Sequence, residues 1–278
     1  MTAEHPRVEG DPKADPKVST LAYFGTELRI RREEAGLSQV ELGRRTFCTH
    51  SYISRIESAS RVPSEEFAQR CDDVLGTGGM FARLWPVVIE HAYPDWFRPW
   101  VALEKDAISI WDFESQVVPG LLQTEEYAQA LFAAARLPNA DELVAARLTR
   151  QHILERDNRA QLWVVLDENV LRRAVGGPDV MARQLRAVVE AAEDQRTIVQ
   201  VIPCDVGGHA AMDGSFVGLS MDDGTEVVST EGRVRGFIVA ATDAVSEYSY
   251  AYDLLRADAL SPQASLDMIA ARAKELAS

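Results

Sequence analysis

His50, Ser51 and Arg55 lie in a short stretch, HSYISRIES (50–58), whose helical spacing turns Ile53 and Ile56 one way and these three polar side chains another. An imidazole, a hydroxyl and a guanidinium relieved of core duty at the start of a helix are free to hydrogen-bond to base edges in a duplex groove. Few other constellations compete with them. The chain has no GxxxxGK[ST] phosphate loop and no GxGxxG, HExxH, GxSxG or CxxC motif. His209 with Asp213 and Ser215 (GGHAAMDGSF) is the one group that resembles a hydrolytic site. Its spacing fits no nucleophile elbow, and a turn entering a strand at Phe216 accounts better for its glycines and aspartate. Cys48, Cys71 and Cys204, odd in number and far apart, make neither a disulfide framework nor a zinc site. The expectation is no catalytic residue, no metal and no cofactor.

The elements that must position the 50–58 stretch are short capped helices. The first spans about 20–35, with Leu21, Phe24 and Leu28 on one face and Gly36 as its stop. Ser38 caps a second (SQVELGRR), with Glu41 completing a capping box, and Thr49 caps the third. Pro63 and Ser64 open a fourth (EEFAQRCDDVL) that ends at Gly76, and a fifth runs from about Gly78 to Glu90. Two short helices joined by a three- to four-residue turn share a core of Leu37, Leu42, Ile53 and Ile56. That core sets the angle at which the second of the pair can enter a major groove.

Charge is sorted along the chain. The whole carries a net charge of -14, which argues against a general nucleic-acid binder. Residues 20–62, however, hold seven arginines against five glutamates, whereas residues 1–19 and everything after 62 are net acidic. A small anion-binding module attached to an acidic body fits this distribution. Residues 1–18, rich in Pro, Asp and Lys, are expected to be a disordered leader with no apolar signal-peptide core. No run approaches the roughly 18 apolar residues of a membrane span, and a cytoplasmic, thiol-reduced protein is expected.

Through AGLSQ (35–39), Leu42 and SYISRIE (51–57), the N-terminal region resembles the phage-repressor-like (XRE) helix-turn-helix family over about 55 residues. The resemblance implies base-reading roles for His50, Ser51 and Arg55, with Arg55 suited to a bidentate contact on guanine. It implies phosphate-positioning roles for Ser38, Gln39, Thr49 and Ser58, and a structural ion pair between Arg32 and Glu57. The chain departs from the family where Phe47 replaces the usual glycine of the turn and Ala59 the glycine after the recognition helix. Either the turn differs locally or the chain accepts a strained backbone there. Cys48 is expected to fill the small core slot of the turn.

Beyond residue 95 the pattern becomes mixed. Strands are predicted at Ile108–Val118, Leu162–Leu166, Ile198–Ile202, Phe216–Met221, Glu226–Ser229 and Val234–Val239. Helices are predicted at Thr124–Arg136, Asp141–Arg156, Glu168–Val175, Pro178–Ala192, Asp243–Ala259 and Pro262–Leu276. Tyr93, Trp96, Phe97, Trp100 and Trp111 read as an aromatic-rich hinge, for interface packing or a pocket. The runs VPGLLQTEEYAQAL, RLTRQHIL, LDENVLRRAVGG, MARQLRAVVE, VQVIP and DLLRADALSPQAS resemble the C-terminal domain of actinobacterial antitoxin-like (Scr-type, WhiJ-like) regulators.

The expected fold is therefore α+β: a leader (1–18), a five-helix all-α helix-turn-helix domain (19–92) and a larger mixed α/β regulatory or dimerisation domain (93–278). A regulator, in all expectation a repressor, would bind double-stranded DNA at an inverted repeat. Half-sites about 34 Å apart call for a two-fold homodimer. The second resemblance implies control by a small partner protein encoded nearby; a small-molecule effector is the other candidate signal. The alternatives are an interaction-only antitoxin, and an enzyme domain around His209 that the helix-turn-helix targets to DNA.

Overall fold

Hydroxyl side chains open most helices of the N-terminal region, and apolar residues at helical spacing close them onto one another. The computed structural model describes residues 19–93, 96–137, 140–156, 158–232 and 235–277, so the leader expected at 1–18 lies outside the described residues. Backbone packing divides the chain into two units: the described residues up to 94 with those of 139–149, and those of 95–138 with 150–278.

In the first unit, Ser19 Oγ accepts from Ala22 N–H at 3.0 Å and starts α1 (Thr20–Glu34). Ser38 starts α2 (Gln39–Arg45) with a complete capping box, and Thr49 starts α3 (His50–Glu57). Ser64 caps α4 (Glu65–Leu75), which ends on Gly76 in the left-handed region, where a glycine carries no Cβ penalty. α5 (Met80–Ala92) follows. Leu21, Phe24, Leu28, Leu42, Ile53, Ile56, Phe67 and Phe81 are all buried, and the rings of Phe24 and Phe81 meet at 5.0 Å. α8 (Ala140–Arg150) contributes residues 140–149 to this unit. Thr149 Oγ1 accepts from the Val62 N–H at 3.1 Å, and the Tyr93 hydroxyl donates to the Ala146 carbonyl at 2.8 Å.

The second unit starts with α6 (Arg98–Asp106), β1 (Ser109–Glu114) and α7 (Glu125–Ala134). It continues after α8 with β2 (Gln161–Asp167), α9 (Glu168–Arg172), α10 (Pro178–Ala191) and β3 (Thr197–Ile202). It ends with β4 (Phe216–Ser220), β5 (Glu226–Glu231), β6 (Gly236–Val239), α11 (Thr242–Asp258) and α12 (Pro262–Leu276). One six-stranded sheet, ordered β3-β2-β1-β4-β5-β6, joins three parallel strands to an antiparallel meander. Trp111, Phe113, Val165, Phe216 and Val228 form a core with Tyr252 and Leu255 of α11. At the β3 edge, Val201 donates to Ser265 Oγ at 3.0 Å and accepts from Leu260 N–H at 2.9 Å, so the chain entering α12 closes that edge. An all-helical region followed by a mixed sheet with helices makes the chain α+β.

The predicted strands all form, with ends shifted by a few residues; Val234 lies outside the described residues. Two helical expectations differ. The aromatic segment is not an irregular hinge throughout, because Arg98–Asp106 is helical, with Pro99 in its first turn and Trp100 and Glu104 buried one turn apart. The helix predicted over 141–156 stops at Arg150 and gives way to a 3₁₀ turn at Gln151–Glu155.

Within the sheet, Asp112 is 4% exposed, and its Oδ1 has no hydrogen-bond partner among the described residues. Burial pushes its carboxyl well above the ordinary aspartate range; Glu114, Glu104 and Glu231 push the same way and Arg150 opposes them. An acid whose folded-state pKa exceeds its unfolded value of about 3.9 favours the fold fully below that value. That contribution fades as pH rises through the folded-state pKa. Asp112→Asn is therefore expected to unfold at a higher temperature than the parent at pH 8, by roughly 2–4 °C per kcal/mol for a unit of this size. The gain should shrink towards pH 4 in a thermal melt series; a gain independent of pH would contradict this account.

Candidate nucleic-acid interface

The pair α2–α3 is held by close backbone approach and one buried ion pair. Gly25 of α1 lies so near the end of α3 that a Cβ there would stand 2.3 Å from the Ile56 carbonyl oxygen. A Cβ on Gly43 would stand 2.6 Å from the Cys48 carbonyl oxygen, so α2 also passes directly over the turn. Arg32 donates to Glu57 twice, Nε to Oε1 at 2.6 Å and Nη2 to Oε2 at 2.9 Å, and Nη1 donates to the Leu37 carbonyl at 3.0 Å. The Glu57 side chain is fully buried, and its hydrogen bond raises the Arg32 pKa further. Gln39 Nε2 also donates to Glu57 Oε2, at 2.8 Å, so Gln39 anchors the start of α2 to the end of α3 and keeps one amide N–H for another partner.

On α3, Ile53 and Ile56 are buried while His50, Ser51 and Arg55 are exposed, so one solvent-facing surface carries the imidazole, hydroxyl and guanidinium. Tyr52 turns the other way: its hydroxyl accepts from Ser64 N–H at 3.1 Å and its ring meets Phe67 at 5.1 Å, which ties α3 to α4. The hydroxyls of Ser38, Thr49 and Ser58 all have local work. Ser38 accepts from Glu41 N–H at 3.2 Å and donates to its carboxylate at 2.7 Å. The Ser38 backbone N–H, donating in turn, holds the Glu41 carboxyl below its ordinary range. Thr49 Oγ1 accepts from Tyr52 N–H at 3.2 Å, and Ser58 Oγ donates to the Arg55 carbonyl at 3.2 Å.

Phe47 and Ala59 both keep φ at 57°, so the turn and the exit of α3 hold the left-handed backbone that glycine would favour. The turn is not rearranged; the strain is accepted, at roughly 1–2 kcal/mol per residue. Thr46 helps to hold it, its hydroxyl donating to the Leu42 carbonyl at 2.9 Å. Cys48 is half-buried beside this turn with its thiol directed at the Thr46 carbonyl, 3.4 Å away, and burial raises its pKa. A neutral thiol there is unreactive.

Electrostatics divide the arginines into two sets. On α1, Arg29 and Arg32 reach Glu57, and Arg31 reaches Glu27 and Glu34. Among the described residues, Arg44, Arg45, Arg55 and Arg70 make no ion pair. These four arginines lie at the end of α2, on α3 and on α4, around the turn that joins α2 to α3. Arg70 is the residue that spacing could not reveal: its Nη1 donates to the Thr46 carbonyl at 3.1 Å, a contact across 24 residues.

In the second unit, the group around His209 is assembled differently from a hydrolytic triad. His209 Nε2 faces Asp167 Oδ2 at 3.2 Å and Nδ1 accepts from the Ala211 N–H at 3.2 Å. Ser215 Oγ instead accepts from Ser115 N–H at 3.1 Å. Asp167 also caps α9 through Asn169 N–H at 2.7 Å. Among the described residues, no group of three or more His, Cys, Asp or Glu side chains is arranged to hold a metal ion. No helix among them is long and apolar enough to cross a membrane.

A family model described as a helix-turn-helix domain matches residues 24–84, the region that contains α2 and α3. A second, described as a domain of unknown function (DUF5753), matches residues 97–271. No curated protein and no solved structure matches the chain.

Proposed function

We propose, for a chain that belongs to the DUF5753 domain family and carries the helix-turn-helix domain of a DNA-binding regulator ahead of it, that the protein is a sequence-specific transcriptional repressor of the XRE type. The observation that carries this reading is the exposed row of His50, Ser51 and Arg55 on a helix fixed by a buried ion pair and bordered by unpaired arginines. His50, Ser51 and Arg55 read base edges; Ser38, Gln39, Thr49 and Ser58 set the register on phosphates; Arg32 and Glu57 are structural. Two such modules in a cytoplasmic homodimer bind an inverted repeat, with half-sites about 34 Å apart matching the two-fold axis.

The second unit, in this reading, dimerises and receives a signal without catalysis. His209 supports a non-enzymatic role, because both its ring nitrogens are engaged locally and Ser215 pairs with Ser115. An acidic body suits a basic partner protein, in the manner of the antitoxin-like (Scr-type, WhiJ-like) regulators that this region resembles.

Binding of the full chain to duplexes selected from a random pool tests the assignment. Arg55→Ala is expected to lose about 1–3 kcal/mol of discrimination at one base position, and His50→Ala to change the preference at another. Unchanged affinity and preference in both variants would move the reading face elsewhere.

A further inference from the structure

Phe47 combines two unfavourable features: a left-handed backbone with φ of 57° and a phenyl ring on a residue 85% exposed. A glycine would make the same turn without steric cost and without leaving an aromatic ring in water. Strain held together with exposure at one position points to a use outside the folding core.

The surroundings of the ring indicate the use. Arg70 of α4 places its guanidinium carbon 5.6 Å from the ring centroid, and its bond to the Thr46 carbonyl holds it there. Arg44 and Arg45 end α2 just before the turn, and α3 with its exposed His50 starts just after it. Arg44, Arg45 and Arg70 make no ion pair among the described residues, in a chain whose net charge is -14, although Arg44 and Arg45 act at longer range on the Glu41 carboxylate. An apolar ring near guanidinium groups that make no ion pair complements a strand of nucleic acid, whose deoxyribose offers apolar surface and whose phosphates offer charge.

We propose that Phe47 and Arg70 form a clamp on the sugar–phosphate backbone of duplex DNA beside the bases that α3 reads. The proposal rests on the DNA-binding reading above and adds a contact that fixes position without reading sequence. Arg70 neutralises a phosphate, and the Phe47 ring packs on the adjoining sugar and shields that ion pair from water.

Fluorescence anisotropy with the full chain tests it, on a duplex selected by the parent protein and on a random duplex, over a range of salt. Phe47→Gly is expected to weaken both complexes by a similar factor, roughly five- to tenfold, as for the loss of one apolar contact. Its thermal midpoint should match or exceed that of the parent, because the turn is relieved. Arg70→Gln is expected to lower the slope of log affinity against log salt by about one. Unchanged affinity in Phe47→Gly together with an unchanged slope in Arg70→Gln, while the parent binds, would overturn the clamp and leave the reading helix standing. A DNA-free monomer–dimer equilibrium that shifts in Phe47→Gly, with affinity per dimer and salt slope intact, would overturn it in favour of a contact with a second copy. A parent protein that binds neither duplex would overturn both the clamp and the reading beneath it.

Discussion

Glu57→Ala is expected to destabilise the first unit by about 3–5 kcal/mol, as the removal of one member of a buried ion pair generally does. The carboxylate is fully buried and accepts from Arg32 Nε, Arg32 Nη2 and Gln39 Nε2 within 2.9 Å. Without it, Arg32, itself 8% exposed, keeps its charge with only the Leu37 carbonyl and a long 3.4 Å contact to the exposed Glu33 carboxylate as partners. The cost arises from that stranded cation more than from the lost attraction, and a second variant separates the two. Arg32→Met with Glu57→Leu removes both charges and should recover most of the loss, leaving a large coupling term in a double-mutant cycle. Denaturant midpoints check this; a loss below about 1 kcal/mol in Glu57→Ala would show that the pair is not structural.

Gly25→Ala has the second large expected effect, and its sign is set by two opposed magnitudes. Alanine improves a helix interior by about 0.8–1 kcal/mol over glycine. Against this, the new methyl would meet the Ile56 carbonyl oxygen at 2.3 Å and the Glu57 carbonyl oxygen at 3.1 Å, both backbone atoms that cannot rotate away. Overpacking of this kind costs about 1–3 kcal/mol and more where the neighbour cannot yield, so net destabilisation is expected. Because α1 must then withdraw from α3, DNA affinity should fall along with the thermal midpoint. A raised midpoint would mean that α1 and α3 are not locked together as described.

Much of this arrangement was legible in the residues. Ser38 with Glu41, Thr49, Ser64, and Ser261 with Pro262 mark helix starts because a hydroxyl cap is a local device, readable within four residues. The strands were legible from their Val and Ile runs, since burial on both faces leaves little room for polar residues. The helix at Arg98–Asp106 was not, because its nine residues hold one short apolar run, Trp100–Leu103, and periodicity over so few positions does not separate helix from strand or loop. The strained turn at Phe47 could be posed only as a choice between two backbones; local sterics disfavour the left-handed one for phenylalanine, and the close passage of Gly43 over Cys48 goes with it nonetheless. Non-local contacts were the least accessible. The family resemblance implies a phosphate contact for Gln39 but gives no sign that its amide also meets Glu57 across 18 residues. The seating of Arg70 on Thr46 and the packing of Thr149 on Val62 join segments whose spacing carries no periodic signal.

The exposed row of polar side chains on α3 is expected to select particular base pairs although the chain as a whole is anionic. Equilibrium titration of the full chain against an inverted repeat enriched from random duplex, with a scrambled repeat of equal length beside it at moderate salt, measures this directly. Affinity for the repeat is expected to lie at least about 10³-fold above that for the scrambled duplex, with the gap narrowed by Arg55→Ala. Equal affinity for the two duplexes, or no binding to either, would contradict it.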